Sequence, residues 1–106
     1  VIPEILPVEL ADLLKSPRPP RLLDVREEDE LEISQLPGAV NIPLSELAER
    51  YPELDPAADY VVICRSGKRS LRAIEMLSGV GFAKLRNLAT GINGWADTVD
   101  PTLEKY

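Results

Sequence analysis

The chain has no histidine among its 106 residues. That absence excludes a Cys-His dyad, a Ser-His-Asp triad and any imidazole metal site built by this chain alone. It has a single cysteine, Cys64, which removes an internal disulfide, a Cys-x-x-Cys redox pair and a zinc site made of several thiolates. One cysteine gives no sign of an oxidising compartment, so the expected location is cytoplasmic. Basic charge is also in deficit. Twelve Lys and Arg stand against eighteen Asp and Glu, and the net charge of -6 argues against nucleic acid as a partner. No apolar run approaches the roughly 20 residues of a membrane span, so no membrane partner is expected.

What is present fits one α/β domain over residues 1–106. The central stretch is Tyr60-Val61-Val62-Ile63-Cys64, a β-branched run that reads as a strand buried on both faces. A short basic turn containing Gly67 follows, and helical periodicity begins near Lys68. In an open α/β sheet, ligands bind outside the carboxyl ends of the strands, where Cys64 falls. The turn's N–H groups and the following helix dipole form a cradle for an anion, and a thiolate is such an anion. Arg65, Lys68, Arg69 and Arg72 cluster there, with no acidic residue between Asp59 and Glu75, while fourteen of the eighteen acids precede Cys64. Positive surroundings lower a thiol from its free pKa of about 8.5, so the basic island is expected to form the nucleophile without a base.

The rest of the chain alternates strands and helices. After an extended piece from Pro3, Val8 to Lys15 reads as an amphipathic helix opened by Pro7 and stopped by Ser16-Pro17. Arg21 to Arg26 reads as a buried strand with a polar end, and Glu27 to Leu31 as one or two acidic helical turns facing solvent. The acids of Glu27 to Glu32 lack the alternation and central glycine of a calcium loop. Leu36 to Pro43 is a turn and a very short strand, Leu44 to Tyr51 a second amphipathic helix, and Pro52 to Asp59 a polar linker. The helix after the basic turn puts Leu71, Ala73, Ile74, Leu77 and Val80 toward the core and ends at Gly79 or Gly81. Ala83 to Leu88 is the last strand, and Gly91 to Ala96 starts a final helix. This order favours a parallel sheet covered on both faces.

Four motifs in order now stand out: Leu23-Asp24-Val25-Arg26, Leu36-Pro37-Gly38-Ala39-Val40-Asn41-Ile42-Pro43, Cys64-Arg65-Ser66-Gly67-Lys68-Arg69-Ser70, and Asn87-Leu88 through Gly91-Ile92 to Trp95. On them the chain resembles a rhodanese-like sulfurtransferase domain across nearly its whole length. The resemblance implies a five-stranded parallel sheet with helices on both faces and no cofactor. It also implies a cysteine that accepts sulfane sulfur, Cys64, held by the loop Arg65, Ser66, Gly67, Lys68, Arg69 and Ser70. Asp24 and Arg26 map onto a strand-end pair that supports the loop and could contact substrate, the alternative being a structural ion pair, and Trp95 maps onto a core position. The chain departs from the family pattern at Gln35, where many members carry His, and at Thr90, where they carry a second Gly. Leu31 to Gly38 and the ending Trp95 to Tyr106 resemble a subgroup that follows a ubiquitin-activating-enzyme-like adenylyltransferase. That subgroup passes sulfur to a small sulfur-carrier protein for molybdopterin or thiamine synthesis. A first residue of valine is compatible with such an origin.

The expected reaction is transfer of sulfur from thiosulfate or a protein persulfide donor through a Cys64 persulfide. Two alternatives keep the fold. A cysteine-dependent phosphatase would have five residues between its cysteine and arginine, whereas four separate Cys64 from Arg69 here, and it would want a general acid that the loop lacks. A docking or regulatory module without turnover is permitted by the fold alone, but it leaves the intact cysteine loop without a purpose.

Overall fold

The computed structural model describes residues 2–106, so Val1 lies outside the described residues. Ten elements alternate along the chain: β1 (Glu4–Ile5), α1 (Pro7–Leu14), β2 (Arg21–Asp24), α2 (Glu28–Leu31), β3 (Val40–Asn41), α3 (Leu44–Arg50), β4 (Tyr60–Ile63), α4 (Arg69–Gly79), β5 (Leu85–Leu88) and α5 (Gly91–Thr98). The strands form a five-stranded sheet in the order β1-β5-β4-β2-β3, parallel throughout. The polar linker after α3 contains a 3-10 turn at Tyr51–Glu53, and its Leu54 is buried.

The strand with the longest β-branched run, β4, takes the centre of the sheet because both of its faces must leave water. Its side chains alternate with period two. Tyr60, Val62 and Cys64 enter one core layer with Leu47, Ala73, Ile74 and Leu77 of α3 and α4. Val61 and Ile63 enter the other with Leu10, Ile92 and Trp95 of α1 and α5. Trp95 is thus a core residue, as its sequence context suggests. The alternation also decides where the thiol points: Cys64 faces the layer that contains the start of α4.

Register brings the other motifs alongside. Asp24 in β2 lies opposite Ile63, and Asn87 in β5 lies opposite Val62. The segments leaving β2, β4 and β5 at their carboxyl ends therefore gather on one rim, with the Cys64 loop between the α2 region and the start of α5. The strand expected to run through Arg26 stops at Asp24 in ladder terms, although the Val25 amide still donates to the Ile63 carbonyl at 3.0 Å.

Candidate active site

Cys64 follows the last residue of β4 and is 1% exposed. From there the chain turns inward around the sulfur. Gly67 N–H donates to Cys64 Sγ at 3.0 Å, and Ser70 Oγ lies 3.4 Å from the same atom. The turn needs a left-handed residue at Gly67, whose φ is +99°, a conformation that an L side chain rarely adopts. Burial pushes the Cys64 thiol up, but the Ser70 hydroxyl and the amides of Ser70, Gly67 and Ser66 outweigh it and hold the thiol below its ordinary value.

The loop is fixed from outside as well. Ile92 N–H donates to the Cys64 carbonyl at 2.9 Å and Asn93 N–H to the Arg65 carbonyl at 3.2 Å, so the first turn of α5 grips the loop from behind. This approach requires Gly91. A Cβ there would lie 2.3 Å from the Arg65 carbonyl oxygen, and its φ is +62°. Asn87, 1% exposed, ties the far end. Its Nδ2 donates to the Gly67 carbonyl at 3.2 Å and to Glu4 Oε2 at 2.9 Å, which fixes the amide's orientation and turns Oδ1 toward Ser70. The single Ser70 hydroxyl proton therefore lies between two acceptors, Asn87 Oδ1 and Cys64 Sγ.

The basic island does not stand free as the linear sequence suggests. Arg69 forms a bidentate pair with Glu30, at 2.6 Å to Oε1 and 2.8 Å to Oε2. No acid lies near Arg69 in sequence, but the sheet order brings α2 beside the loop. The expectation that the acids of residues 27–32 all face solvent is corrected at this residue. Glu27, Glu28, Asp29 and Glu32 are exposed, whereas Glu30 keeps 16% of its side chain exposed. The Arg69 guanidinium, first among its partners, holds the Glu30 carboxyl down at about 2, and Tyr106 and the Glu27 amide add to this against the effect of burial. Arg65 and Lys68 are exposed, and the Arg65 guanidinium sits 5.0 Å from the centre of the Tyr106 ring. Thiolate stabilisation therefore comes chiefly from Ser70 and the loop amides, while the Arg69 charge, which also acts on Cys64, is shared with Glu30.

Asp24 and Arg26 form a buried ion pair at 2.8 Å, with side chains 1% and 0% exposed. Arg26 spends its other donors on the Ser34 carbonyl at 2.7 Å, the Glu30 carbonyl at 3.3 Å and Tyr106 Oη at 3.0 Å. It thus anchors the segment that carries Glu30 and touches neither the sulfur nor open solvent. Tyr106 completes the arrangement by donating its hydroxyl proton to Glu30 Oε2. Among the described residues, no group of three or more Cys, Asp or Glu side chains converges as a metal site. No described helix is long and apolar enough to cross a membrane.

Glu30, Tyr106 and Gly91 were not singled out by the sequence as site residues. Glu30 is one acid in an acidic run, and Tyr106 is far from every motif, so neither carries a local signal. Gly91 lies inside a quoted motif, but its need for glycine becomes visible only beside the Arg65 carbonyl.

The fold and site define a class: an open parallel α/β domain with a buried, amide-cradled cysteine at the carboxyl rim of its central strand. Comparison with known proteins gives the family. The Rhodanese-like domain matches residues 6–98, and the chain belongs to that family of sulfurtransferase and sulfur-carrier domains. The adenylyltransferase and sulfurtransferase MOCS3-2 of Zea mays is 34% identical over 105 residues, covering 92% of this chain and 22% of that protein. The crystal structure of a rhodanese-related protein from Thermoplasma volcanium superimposes with a TM-score of 0.83 at 34% identity, covering 92% of this chain and 93% of that one. The human single-domain sulfurtransferase TSTD1 gives a TM-score of 0.77 at 33% identity, covering 92% of this chain and 98% of that one. The chain spans about half or less of the length of several curated relatives it matches, at 51%, 22% and 30%.

Proposed function

We propose that the domain transfers sulfane sulfur through a persulfide on Cys64. The carrying observation is the buried sulfur itself, met by the Gly67 amide at 3.0 Å inside a turn whose other amides also face it. In the first half-reaction the Cys64 thiolate attacks the outer sulfur of a donor. With thiosulfate, the new S–S bond forms as the S–S bond of the donor breaks, and sulfite leaves with its electron pair. With a protein persulfide, the leaving group is the donor's thiolate. The terminal sulfur of the Cys64 persulfide is anionic, and the amide cradle suits it as it suits the thiolate. A thiophilic acceptor then attacks that terminal sulfur and regenerates the Cys64 thiolate.

That one relative is named a putative sulfur carrier protein and others sulfurtransferases supports a sulfur-carrier protein as the acceptor. Cyanide is the convenient acceptor for an assay. The test is intact mass after incubation with thiosulfate, with and without cyanide, alongside Cys64→Ala. A gain of one sulfur that cyanide removes and that the variant lacks is the expected result. Absence of that gain with both thiosulfate and a persulfidated protein would overturn the reading in favour of a docking module.

A further inference from the structure

A loop built for an anion has its bidentate cation already occupied. Arg69 opens α4, directly after the turn, and both parallel donors of its fork are taken by Glu30 Oε1 and Oε2 at 2.6 and 2.8 Å. The carboxylate is not a loose surface partner. The Glu27 amide donates to Oε1 at 3.1 Å, and the Tyr106 hydroxyl donates to Oε2. Tyr106 is itself held, by Arg26 Nη1 at 3.0 Å and by Asn93 Nδ2 on its carbonyl at 3.0 Å. A small dianion seeking the Arg69 fork must therefore displace a carboxylate fastened from two other directions. Because only 16% of the Glu30 side chain is exposed, water and salt screen its charge less than they screen the exposed Arg65 and Lys68.

We propose that Glu30 is a specificity-determining residue: it turns the Cys64 site away from small dianionic sulfur donors and toward sulfur presented as a persulfide on a protein cysteine. The inference rests on the sulfur-transfer reading and deepens it by choosing between the two donor classes. A protein persulfide brings its outer sulfur to the cradle with no second anionic group that needs Arg69. Thiosulfate brings a sulfonate that meets Glu30.

The experiment compares alkylation of Cys64 by iodoacetamide, which is neutral, and iodoacetate, which is similar in size and anionic. Both report on the same thiolate, so any change in thiol pKa cancels in their ratio. Glu30→Gln removes the charge while keeping a carbonyl for Arg69, and Glu30→Asp keeps the charge. The iodoacetate-to-iodoacetamide rate ratio should rise by about fivefold to tenfold in Glu30→Gln and stay near the parent value in Glu30→Asp. Raising salt should shrink the difference between parent and Glu30→Gln, which a purely structural effect would not do. The KM for thiosulfate should fall in Glu30→Gln by a similar factor. An unchanged alkylation ratio in Glu30→Gln, or an equal rise in Glu30→Asp, would overturn the role of Glu30. The ratio is read without any sulfur transfer, so failure of the persulfide reading in the mass experiment is a separate result.

Discussion

Replacing Arg26 by Met should expose how the α2 region is held beside the loop. The side chain is 0% exposed and supplies the counter-charge to Asp24, itself 1% exposed, through contacts of 2.8, 3.0 and 3.1 Å. Methionine fills much of the volume but leaves a buried carboxylate unpaired, a change that costs about 3–5 kcal/mol. A domain of this size has about 5–15 kcal/mol in total, so the variant should remain folded but weakened. With a urea slope of roughly 1–3 kcal/mol/M, the midpoint should fall by about 2 M. Adding Asp24→Asn should recover at least about 1 kcal/mol at pH 7, because the pair is worth far less than the penalty for breaking it. Urea titrations of the parent, Arg26→Met and the double variant at pH 7 measure all of this. A deficit below about 1 kcal/mol, or no recovery in the double variant, would refute the argument from an orphaned carboxylate.

Other perturbations test the loop and its neighbours. The pH midpoint of Cys64 alkylation should lie below that of a free thiol, and Ser70→Ala should raise it by about one unit, since a hydrogen bond to a charged group is worth about 1.5–3 kcal/mol. An unchanged midpoint would mean that the Ser70 proton stays on Asn87 and the backbone amides act alone. Thr90→Gly should stabilise the domain by about 1 kcal/mol and raise Tm by about 5 °C, because threonine at φ 66° is strained where glycine is not; a lower Tm would contradict this. Glu30 has a folded pKa of about 2 against an ordinary 4.5, so its contribution is complete above pH 4.5 and is lost as pH falls through 2. Glu30→Gln should therefore flatten the acid side of the stability profile, and equal slopes for variant and parent would count against the pairing.

The elements that fix the sheet were legible because their signals are local. The β-branched run of β4 is a strand by composition, Pro7 and Ser16-Pro17 bracket α1, and Gly79 to Gly81 close α4. The Cys64 turn was legible for the same reason, since cysteine, glycine and the helix start are contiguous. The partner of Arg69 was not, because Glu30 lies 39 positions away and meets it only through the order of the strands. Composition around Arg69 suggested uncompensated charge where tertiary structure supplies a counter-ion. Thr90 illustrates the reverse case. It was visible as a departure from the family's glycine, but its cost appeared only with the backbone angle.

The loop is gripped by its carbonyls and works through its amides. The carbonyls of Cys64, Arg65 and Gly67 are bound by Ile92, Asn93 and Asn87, and the sulfur is met by main-chain N–H groups. Arg65, Ser66 and Lys68 are exposed, so their side chains can be exchanged while the cradle keeps its shape. Under the proposed transfer the chemistry is thereby uncoupled from the rim: libraries at these three positions should alter acceptor preference while the cradle around Cys64 stays as it is.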